Sequence, residues 1–474
     1  MPAPSLRRLA TGTVARSNDP AGVPLRQPLG RGPMCRLGTV LRCSALAATA
    51  ALTTGVQAQS LLELYDAAHA FDATYLSARA LAESVPYRVE QAEALLRPSA
   101  SLGSSVARVE TNPPILQSYH SNSVSLSLNA RQPLFNRANA ATVRQAEKSL
   151  DVSRADLDSA EQELILRLSQ AYFDVLGAQD TLATTRTNKT AISEQLASAK
   201  RNFEVGTATI TDTREAQARF DLASAQEIAA QNDLVTKKIA LDQLVGRANV
   251  EPKQLAVPVA LPALVPDNAE SWVALAEGQH PSIRRAQLAL DIARLETQKA
   301  RAAGLPTVDA VGSVSSGRGA IGGTLGSQPG NSSSASVGVQ LNMPLYTGGQ
   351  IQNRIKETLV LEDRSQNDLE AARRGVSQAT RQAFYTLASG AAQVRALEAA
   401  ESSSLLALEA TQLGYRVGVR VNLDVLNAQT QLFQTRRDLA RARYDVLLGT
   451  LRLRQAAGQV TAQDVAAVDR LLAR

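Results

Sequence analysis

The segment YRVGVRVNLDVLNAQ (residues 415–429) decides the fold, because it stops a long helical pattern and restarts it at once. Gly418 lies among β-branched valines at the interruption, and Asn422, a residue type that caps helices, follows shortly after it. The segment FEVGTATITDTREAQ (residues 203–217) has the same design 212 positions earlier, with its glycine at Gly206. Glycine permits the left-handed backbone that ends many helices. Both segments therefore predict a sharp reversal between two long helices.

The rest of the chain repeats with a similar offset, close to 210 residues. A proline-rich linker over residues 251–266 separates the two copies, because prolines forbid a regular helix there. Each copy reads as a helix, two strands, a long helix, a turn and a returning helix. The matched positions are Gln132–Phe135 with Met343–Tyr346, Ala171–Phe173 with Ala383–Tyr385, Asp212 with Asp424, and Gly246 with Gly458.

The long helices carry a continuous seam. Over residues 164–203 the seam positions recur at alternating steps of four and three, the 3.5-residue repeat of supercoiled helices. A helix over residues 137–204 would be about 100 Å long, and its return over residues 210–246 would reach only about half as far. A preceding helix, near residues 62–97 or 272–304, is expected to fill the missing half.

The segments before each long helix alternate apolar and polar residues, as strands with one wet face do. They are residues 124–130 and 336–342, with partners expected at 99–109 and 307–317. A soluble sheet over a core gives the same alternation, but about 9–11 residues is the length with which a tilted strand crosses a bilayer. Four strands cannot close a membrane barrel, whose smallest examples have about eight. Three copies would supply twelve, so the sequence predicts a homotrimer with a twelve-stranded barrel in lipid.

The net positive charge and both cysteines of the chain lie in its N-terminal segment. The formal charge of +6 belongs to residues 1–58, which contain seven of the arginines, so the body is neutral and no footprint for nucleic acid is expected. These residues read as a long secretory leader with an apolar run at 45–52 and cleavage after Ala58, and Met34 is an alternative start. Both cysteines lie in the leader, which is compatible with a periplasmic mature chain.

The residues give little support for catalysis. The three histidines (His69, His120, His280) have no ligand spacing, and the mature chain has no cysteine, so we expect no enzyme, no metal and no cofactor. Residues 317–322 match the dinucleotide pattern GxGxxG, but a polar loop rather than a helix is expected to follow them. Phe135, Tyr346 and Tyr119 lie near strand ends, where aromatic residues either pack in a core or occupy a membrane interface.

Taken together, several motifs resemble the TolC family of outer-membrane channels. They are the duplicated halves, the strand exits PLF (133–135) and PLY (344–346), the helix opening TGGQ (347–350) and the two VG turns. The resemblance covers nearly all of the chain after residue 60. It implies a mainly α fold with duplicated halves, in which four strands per chain complete a trimeric twelve-stranded outer-membrane β-barrel. An α-helical coiled-coil tunnel then continues the barrel into the periplasm, with a belt formed by the linker and the C-terminal segment.

The resemblance also implies a gate where the chain reverses, although the same segments could be merely turns. In TolC-like channels an aspartate ring narrows the closed mouth, and Tyr and Arg of one tip bond to Asp and Thr of the other. The matching residues are Asp424 for the ring, Tyr415 and Arg420 as donors, Asp212 and Thr211 as acceptors, and Gly206 and Gly418 as the helix-tip turns. A second ring aspartate would fall at Asn427, where this chain departs from the family pattern. From the residues alone, Thr211 or Asp212 and Asn422 are placed to cap the returning helices.

The predicted function is the outer-membrane channel of a type I secretion system. Within the family, the sequence looks most like the components that export an adenylate cyclase toxin (cyclolysin). The expected partners are a periplasmic adaptor, an inner-membrane ABC transporter and an exported protein. A multidrug efflux channel is the alternative, and a soluble periplasmic coiled-coil scaffold is the second. The expected divisions are the leader (1–58), first repeat (59–250), linker (251–271), second repeat (272–458) and C-terminal tail (459–474).

Overall fold

The computed structural model describes residues 58–111, 119–256, 264–321 and 328–472. The predicted leader, with its cysteines and Met34, lies outside them apart from Ala58, and so do the two loops at residues 112–118 and 322–327. Among the described helices, none is long and apolar enough to cross a membrane.

Two long helical hairpins dominate the fold, one in each half of the chain. Each joins a helix of 68 or 67 residues to a return of 36 or 35 residues, as the seam and the turns predict. Two shorter helices precede the strands of each half, and one further helix ends the chain. The helices are α1 (Leu61–Phe71), α2 (Ala73–Glu93), α3 (Arg137–Glu204), α4 (Ile210–Val245), α5 (Ala269–Gln279), α6 (Pro281–Ala302), α7 (Gln350–Arg416), α8 (Asn422–Ala456) and α9 (Ala462–Asp469).

The helices that precede the strands are interrupted where single helices are expected. The Asp72 backbone N–H donates to the Ala68 carbonyl at the end of α1, and the Asp72 carboxylate caps α2 by accepting from the Tyr75 N–H at 2.8 Å, so the chain bends there. In the second half His280 caps α6, and Pro281 occupies the first helical position, where it needs no N–H partner. The single helices predicted near 62–97 and 272–304 are therefore wrong in detail, although α2 and α6 pack against the long helices as expected.

The four strands form one antiparallel sheet in chain order. They are β1 (Ser99–Thr111), β2 (Tyr119–Phe135), β3 (Thr307–Ile321) and β4 (Gln328–Asn342). The duplication is visible in the pairing, because β2 of the first half joins β3 of the second. The strands are longer than their alternating segments predict, since serine and glycine continue the ladder beyond the apolar residues. Within the described residues β1 and β4 are the sheet's two free edges.

The two faces of the sheet differ sharply in chemistry. On one, the apolar face, large aliphatic side chains are exposed; they are Leu102, Val106, Val124, Leu126, Leu128, Val314, Val337, Val339 and Leu341. The other, the serine face, carries hydroxyl pairs that bridge neighbouring strands. The pairs are Ser105 with Ser125, Ser313 with Ser336, and Ser315 with Ser334, each with oxygens 2.8 Å apart. Exposed aliphatic residues on every strand indicate a face that meets lipid rather than water.

The linker and the chain's last segment meet beside α3. Gln59 pairs with Pro252 and Leu255 with Leu472 in isolated bridges. The Tyr172 hydroxyl donates to the Lys253 carbonyl at 2.9 Å, which anchors the linker to the largest apolar cluster. Helix α9 packs on α1 through the same cluster, and the backbone N–H of Leu61 donates to the Asp469 carboxylate at 2.9 Å. Sequence analysis gave no sign of α9 as a helix.

Candidate functional site: the hairpin tips

The two hairpins reverse through turns of the same construction. Gly206 and Gly418 have φ of +81° and +78°, and a Cβ on either would meet nothing within 4 Å. Glycine is therefore required by the left-handed backbone and not by crowding. In the first turn the Thr207 N–H donates to the Asn202 carbonyl at 2.8 Å, and in the second the Val419 N–H donates to the Gly414 carbonyl at 2.9 Å. The predicted helix-tip turns lie at these two glycines.

The returning helices begin with aspartates in equivalent positions. Thr209 precedes α4, and its hydroxyl accepts from the Asp212 N–H while the Asp212 carboxylate accepts from the Thr209 N–H at 3.0 Å. At the start of α8 the Asp424 carboxylate accepts from the Val421 N–H at 3.4 Å. Asp212 and Asp424 thus each occupy the third helical position. Only Thr209 returns a side-chain bond and completes a capping box, because Val421 has no polar side chain.

This geometry corrects the predicted caps. Neither Thr211 nor Asp212 is the N-cap of α4, because Thr209 fills that position, and Asn422 is the first residue within α8 rather than its cap. The hydroxyl of Thr209 reaches the free N–H groups of the first turn from just outside the helix, which Thr211 cannot do from within it.

Polar side chains connect the two tips within one protomer. The Asn202 amide donates to the Tyr415 hydroxyl at 3.1 Å, and Arg219 donates to the Asn427 side-chain oxygen at 3.1 Å. Gln195 and Asn422 also form a side-chain hydrogen bond. Leu426 of α8 is almost fully buried in a cluster otherwise formed by the first hairpin; its other buried members are Ile192, Leu196, Ala199, Ala216 and Ala223. The second hairpin's return therefore packs on the first hairpin as one unit.

The five predicted gate residues lie at this end, but their partners differ from the proposed lock. Within one protomer Tyr415 bonds to Asn202, and the Arg420 guanidinium lies 3.7 Å from the Asp424 carboxylate. Asp212 bonds to Thr209, as does Thr211, whose hydroxyl oxygen lies 2.6 Å from that of Thr209. The bonds from Tyr415 and Arg420 to Asp212 and Thr211 are not formed among the described residues of a protomer and stay a prediction.

Sequence analysis missed Asn202, Gln195 and Arg219 as tip residues. Each contacts a residue more than 200 positions away in sequence, so no local pattern marks it. At Asn427, where the family pattern has an aspartate, the side-chain oxygen accepts a hydrogen bond from the Arg219 guanidinium. Arg219 could have been recognised as the partner of Asn427 only after the two hairpins were placed side by side.

Charged pairs fasten each hairpin below its tip. Glu227 of α4 lies 3.0 Å from Lys189 and 3.1 Å from Arg186, both on α3. The hydrogen bond from Lys189 lowers the pKa of the Glu227 carboxyl, and Arg186 adds to the effect. Lys189, a polar seam position, also lies 5.6 Å from the centre of the Phe220 ring. In the second hairpin Glu401 of α7 pairs with Arg436 of α8 at 2.9 Å.

The histidines and the GxGxxG segment, which were weighed as catalytic or nucleotide-binding candidates, have structural roles. His280 caps α6 by accepting from the Ser282 N–H at 3.1 Å, and the His69 ring packs against the Tyr75 ring at 4.4 Å. Gly317 to Ile321 continue strand β3, so the GxGxxG match does not open a helix there. No group of three His, Cys, Asp or Glu side chains that could hold a metal occurs in the part of the chain that the structure describes.

Paired coiled-coil hairpins that continue a sheet with an outward apolar face define a membrane channel with a helical extension. The profile of the family described as "Outer membrane efflux protein" matches residues 64–247 and again residues 272–459. The two matches follow the duplication of the chain. The chain belongs to this family of outer-membrane efflux and secretion channels, and it is an outer-membrane protein that extends into the periplasm.

Individual relatives agree with this assignment. The outer membrane protein TolC of Vibrio cholerae is 32% identical over 421 residues, which cover 88% of this chain and 95% of the relative. The alkaline protease secretion protein AprF of Pseudomonas aeruginosa is 33% identical, covering 72% of this chain and 70% of its own. The crystal structure of the outer membrane protein VceC of Vibrio cholerae superposes with a TM-score of 0.72 at 20% identity, over 84% of this chain and 96% of VceC.

These findings confirm the predicted family and fold class: a mainly α chain with duplicated halves that gives four strands to a TolC-type outer-membrane channel. The predicted likeness to the adenylate cyclase toxin component is present but distant. The protein CyaE of Bordetella pertussis is 27% identical and covers 56% of this chain and 55% of its own. The identity and the coverage of CyaE are both lower than those of TolC and AprF, so the comparison gives toxin export no particular support.

Proposed function

We propose that three copies of this chain form a passive duct that exports a protein from the cell as the outer-membrane channel of a type I secretion system. The observation that carries the proposal is the relative named for alkaline protease secretion, which is 33% identical over most of the chain. An inner-membrane ABC transporter would supply the energy, and a periplasmic adaptor would dock on the hairpin tips. The cargo is an unfolded secreted protein, with a cyclolysin-like toxin as the predicted example.

Two features of the protomer support the trimer. The sheet has free edges at β1 and β4, and a four-stranded sheet with a lipid-facing side cannot leave its edge N–H and C=O groups unpaired in a bilayer. Helix α4 exposes large aliphatic side chains on the face away from α3; Ile228, for example, is 70% exposed. Pairing β1 with β4 and covering α4 in neighbouring copies satisfies both requirements.

The tips act in this proposal as a gate. Asp424 forms the ring of three carboxylates at the mouth, and Tyr415 and Arg420 hold the tips closed through bonds to Asp212 and Thr211 of a neighbouring tip. Opening then has to break the Asn202–Tyr415 and Arg219–Asn427 bonds or to move both hairpins of a protomer together. The buried position of Leu426 favours movement together, because separating the hairpins would expose this side chain.

The second candidate is an efflux channel for small molecules, which the family's own description favours. The outer-membrane location leaves the soluble periplasmic scaffold without support. Fold alone does not decide between protein and small-molecule cargo.

Gene deletion with complementation separates the two cargoes. We expect the deletion strain to lose one or more secreted proteins from the culture medium and to keep its resistance to drugs and detergents. Complementation with the intact gene should restore secretion. Lost resistance with an unchanged set of secreted proteins would instead establish the efflux channel.

A further inference from the structure

The apolar face of the sheet ends at a definite height. Val308 and Leu341 pair near the helical end of the sheet, whereas Val106 and Val124 pair towards the loops. Along β3 this distance runs from Val308 to Arg318, the partner of Val124, which is ten residues or about 34 Å of strand. At a tilt of about 45° the apolar face is roughly 24 Å tall, the height of a membrane-barrel apolar band.

Two arginines stand where this face ends. Arg318 pairs with Val124 and Arg108 pairs with Asn122, so both side chains share the apolar face and lie at its border away from the helices. Both are exposed, and no ion pair joins either to another of the described residues. They lie on strands two apart, about 10 Å across the sheet. Glu110 follows Arg108 by two residues on the same face and is engaged in an interaction of its own.

The arginine on the serine face, unlike these two, forms an ion pair. Arg131 lies on that face and donates to the Asp309 carboxylate at 2.7 Å, a nearly buried partner. The sheet therefore neutralises the arginine that faces inward and leaves two cations at the outer border of its lipid-facing side. A guanidinium group binds phosphate with two parallel hydrogen bonds, and basic side chains at a membrane border are attracted to anionic head groups.

We propose that Arg108 and Arg318 bind the phosphate groups of an anionic glycolipid in the outer leaflet of the outer membrane. The helices mark the periplasmic side, so the loop end of the sheet faces the outside, and the two arginines lie at the level of the outer head groups. Three copies give six such cations around the channel. The proposal depends on the outer-membrane location and is independent of the cargo.

The test is glycolipid binding by the purified trimer. Wild type and the variants Arg108→Gln, Arg318→Gln and their combination are mixed with liposomes that contain a diphosphorylated outer-leaflet glycolipid or its dephosphorylated form. We expect wild type to prefer the phosphorylated lipid and each substitution to weaken that binding about fivefold, the effect of one basic side chain near an anionic surface. Arg364→Gln, which removes an exposed arginine of α7, is the matched control and should bind as wild type does.

Further arms keep the proposal open to refutation. Equal binding of both lipids by wild type, or unchanged binding by the double variant, would overturn it. Millimolar inorganic phosphate should not displace the glycolipid, and full displacement would show a site for free phosphate instead. If the glutamine variants do not assemble, the salt dependence of wild-type binding tests the proposal instead. Electrostatic binding must weaken as ionic strength rises, and a flat dependence would reject the arginine–phosphate contact.

Discussion

Helices α4 and α8 are the same element built twice, yet they lie in different environments. They have 36 and 35 residues and return from equivalent turns. Helix α8 has fourteen buried residues, whereas α4 has five. The reason is that α8 packs against both α7 and the first hairpin, while α4 contacts mainly α3. The protomer is therefore closed on one side and open on the other.

The side chains of α4 are arranged for a neighbour on the open side. Three of its five buried residues are alanines seven apart, which bring α4 close to α3; they are Ala216, Ala223 and Ala230. The opposite face carries Ile228, Val235 and Ile239, which are 70%, 51% and 60% exposed and share one helical stripe. A stripe of large aliphatic residues on a helix is stable when a second helix covers it.

Breaking this stripe should have the largest effect of any change considered. The double substitution Ile228→Asp with Ile239→Asp is expected to abolish the trimer, because each buried isoleucine contributes about 1.5–3 kcal/mol and each buried carboxylate costs several more. Native mass spectrometry of the detergent-solubilised protein measures the assembly state. Ile228→Leu with Ile239→Leu keeps the apolar volume and should leave the trimer intact. An intact trimer in the aspartate variant would place the protomer contact elsewhere.

Comparing α8 with α4 at the tips predicts the second-largest effect, a loss of folding stability. Leu426 of α8 is 1% exposed, and its equivalent in α4 is Arg214, an exposed residue. Leu426→Ala should lower the free energy of unfolding by about 2–5 kcal/mol, because it leaves a cavity between the hairpins. Arg214→Ala should change it by less than about 0.5 kcal/mol. Denaturant unfolding of the two variants measures the difference, and equal losses would show that the hairpins do not pack as described.

Local patterns predicted the long elements well. The helix predicted over residues 137–204 has the bounds of α3, Arg137 to Glu204, and the glycines marked both reversals. Patterns failed where a tertiary contact decides the local structure. The carboxylate of Asp72 caps α2 and also accepts from the Arg167 guanidinium of α3 at 3.0 Å, so a break in the helix is stabilised by a distant residue.

At the site, sequence reasoning identified the tip and missed its internal bonds. Gly206 and Gly418 carry a local signal, because only a left-handed turn explains their position between helices. Asn202 and Arg219 carry none, because their partners Tyr415 and Asn427 lie in the other half of the chain. The duplication aligned Asp212 with Asp424, but only the structure shows that each carboxylate accepts from the backbone N–H three residues before it.

The two equivalent aspartates offer a controlled test of the gate. Asp424→Asn should reduce block of the channel by divalent or trivalent cations, because it removes the proposed ring of carboxylates. Asp212→Asn alters the same third position of the helix, but Asp212 belongs to the proposed lock and not to the ring, so this variant should raise conductance and leave the cation block unchanged. Recordings in planar lipid bilayers compare the two. Equal block in wild type and Asp424→Asn would show that Asp424 lies away from the axis.

The proposed lock between tips should be weaker. Arg420→Ala with Tyr415→Phe is expected to raise single-channel conductance, because an exposed arginine–carboxylate pair contributes only about 1 kcal/mol and yields easily. Arg416→Ala, which removes a neighbouring exposed arginine, is the control. Unchanged conductance in the double variant would remove Tyr415 and Arg420 from the gate.

The smallest expected effect concerns the charged pairs, whose polarity is reversed between the hairpins. In the first hairpin the long helix supplies the cations Arg186 and Lys189, whereas in the second the equivalent positions are Glu398 and Glu401. Reversed polarity disfavours α8 in the position that α4 occupies beside Arg186 and Lys189, because its own arginines would then face these cations. We therefore expect the pairs to contribute to correct pairing of the helices as well as to stability.

The pH dependence of the first hairpin tests this role. The pKa of Glu227 is lowered by Lys189, so the stability that this carboxylate contributes is present above its ordinary value of 4.5 and is lost as pH falls through the lowered value. Glu227→Gln should therefore flatten the loss of thermal stability on acidification, measured by melting at pH 7 and at a series of values below 4.5. Lys189→Gln removes the largest cause of the lowered pKa, leaving Arg186, and should flatten the same curve in part. If both variants lose thermal stability on acidification as wild type does, the Glu227–Lys189 pair adds no pH-dependent stability.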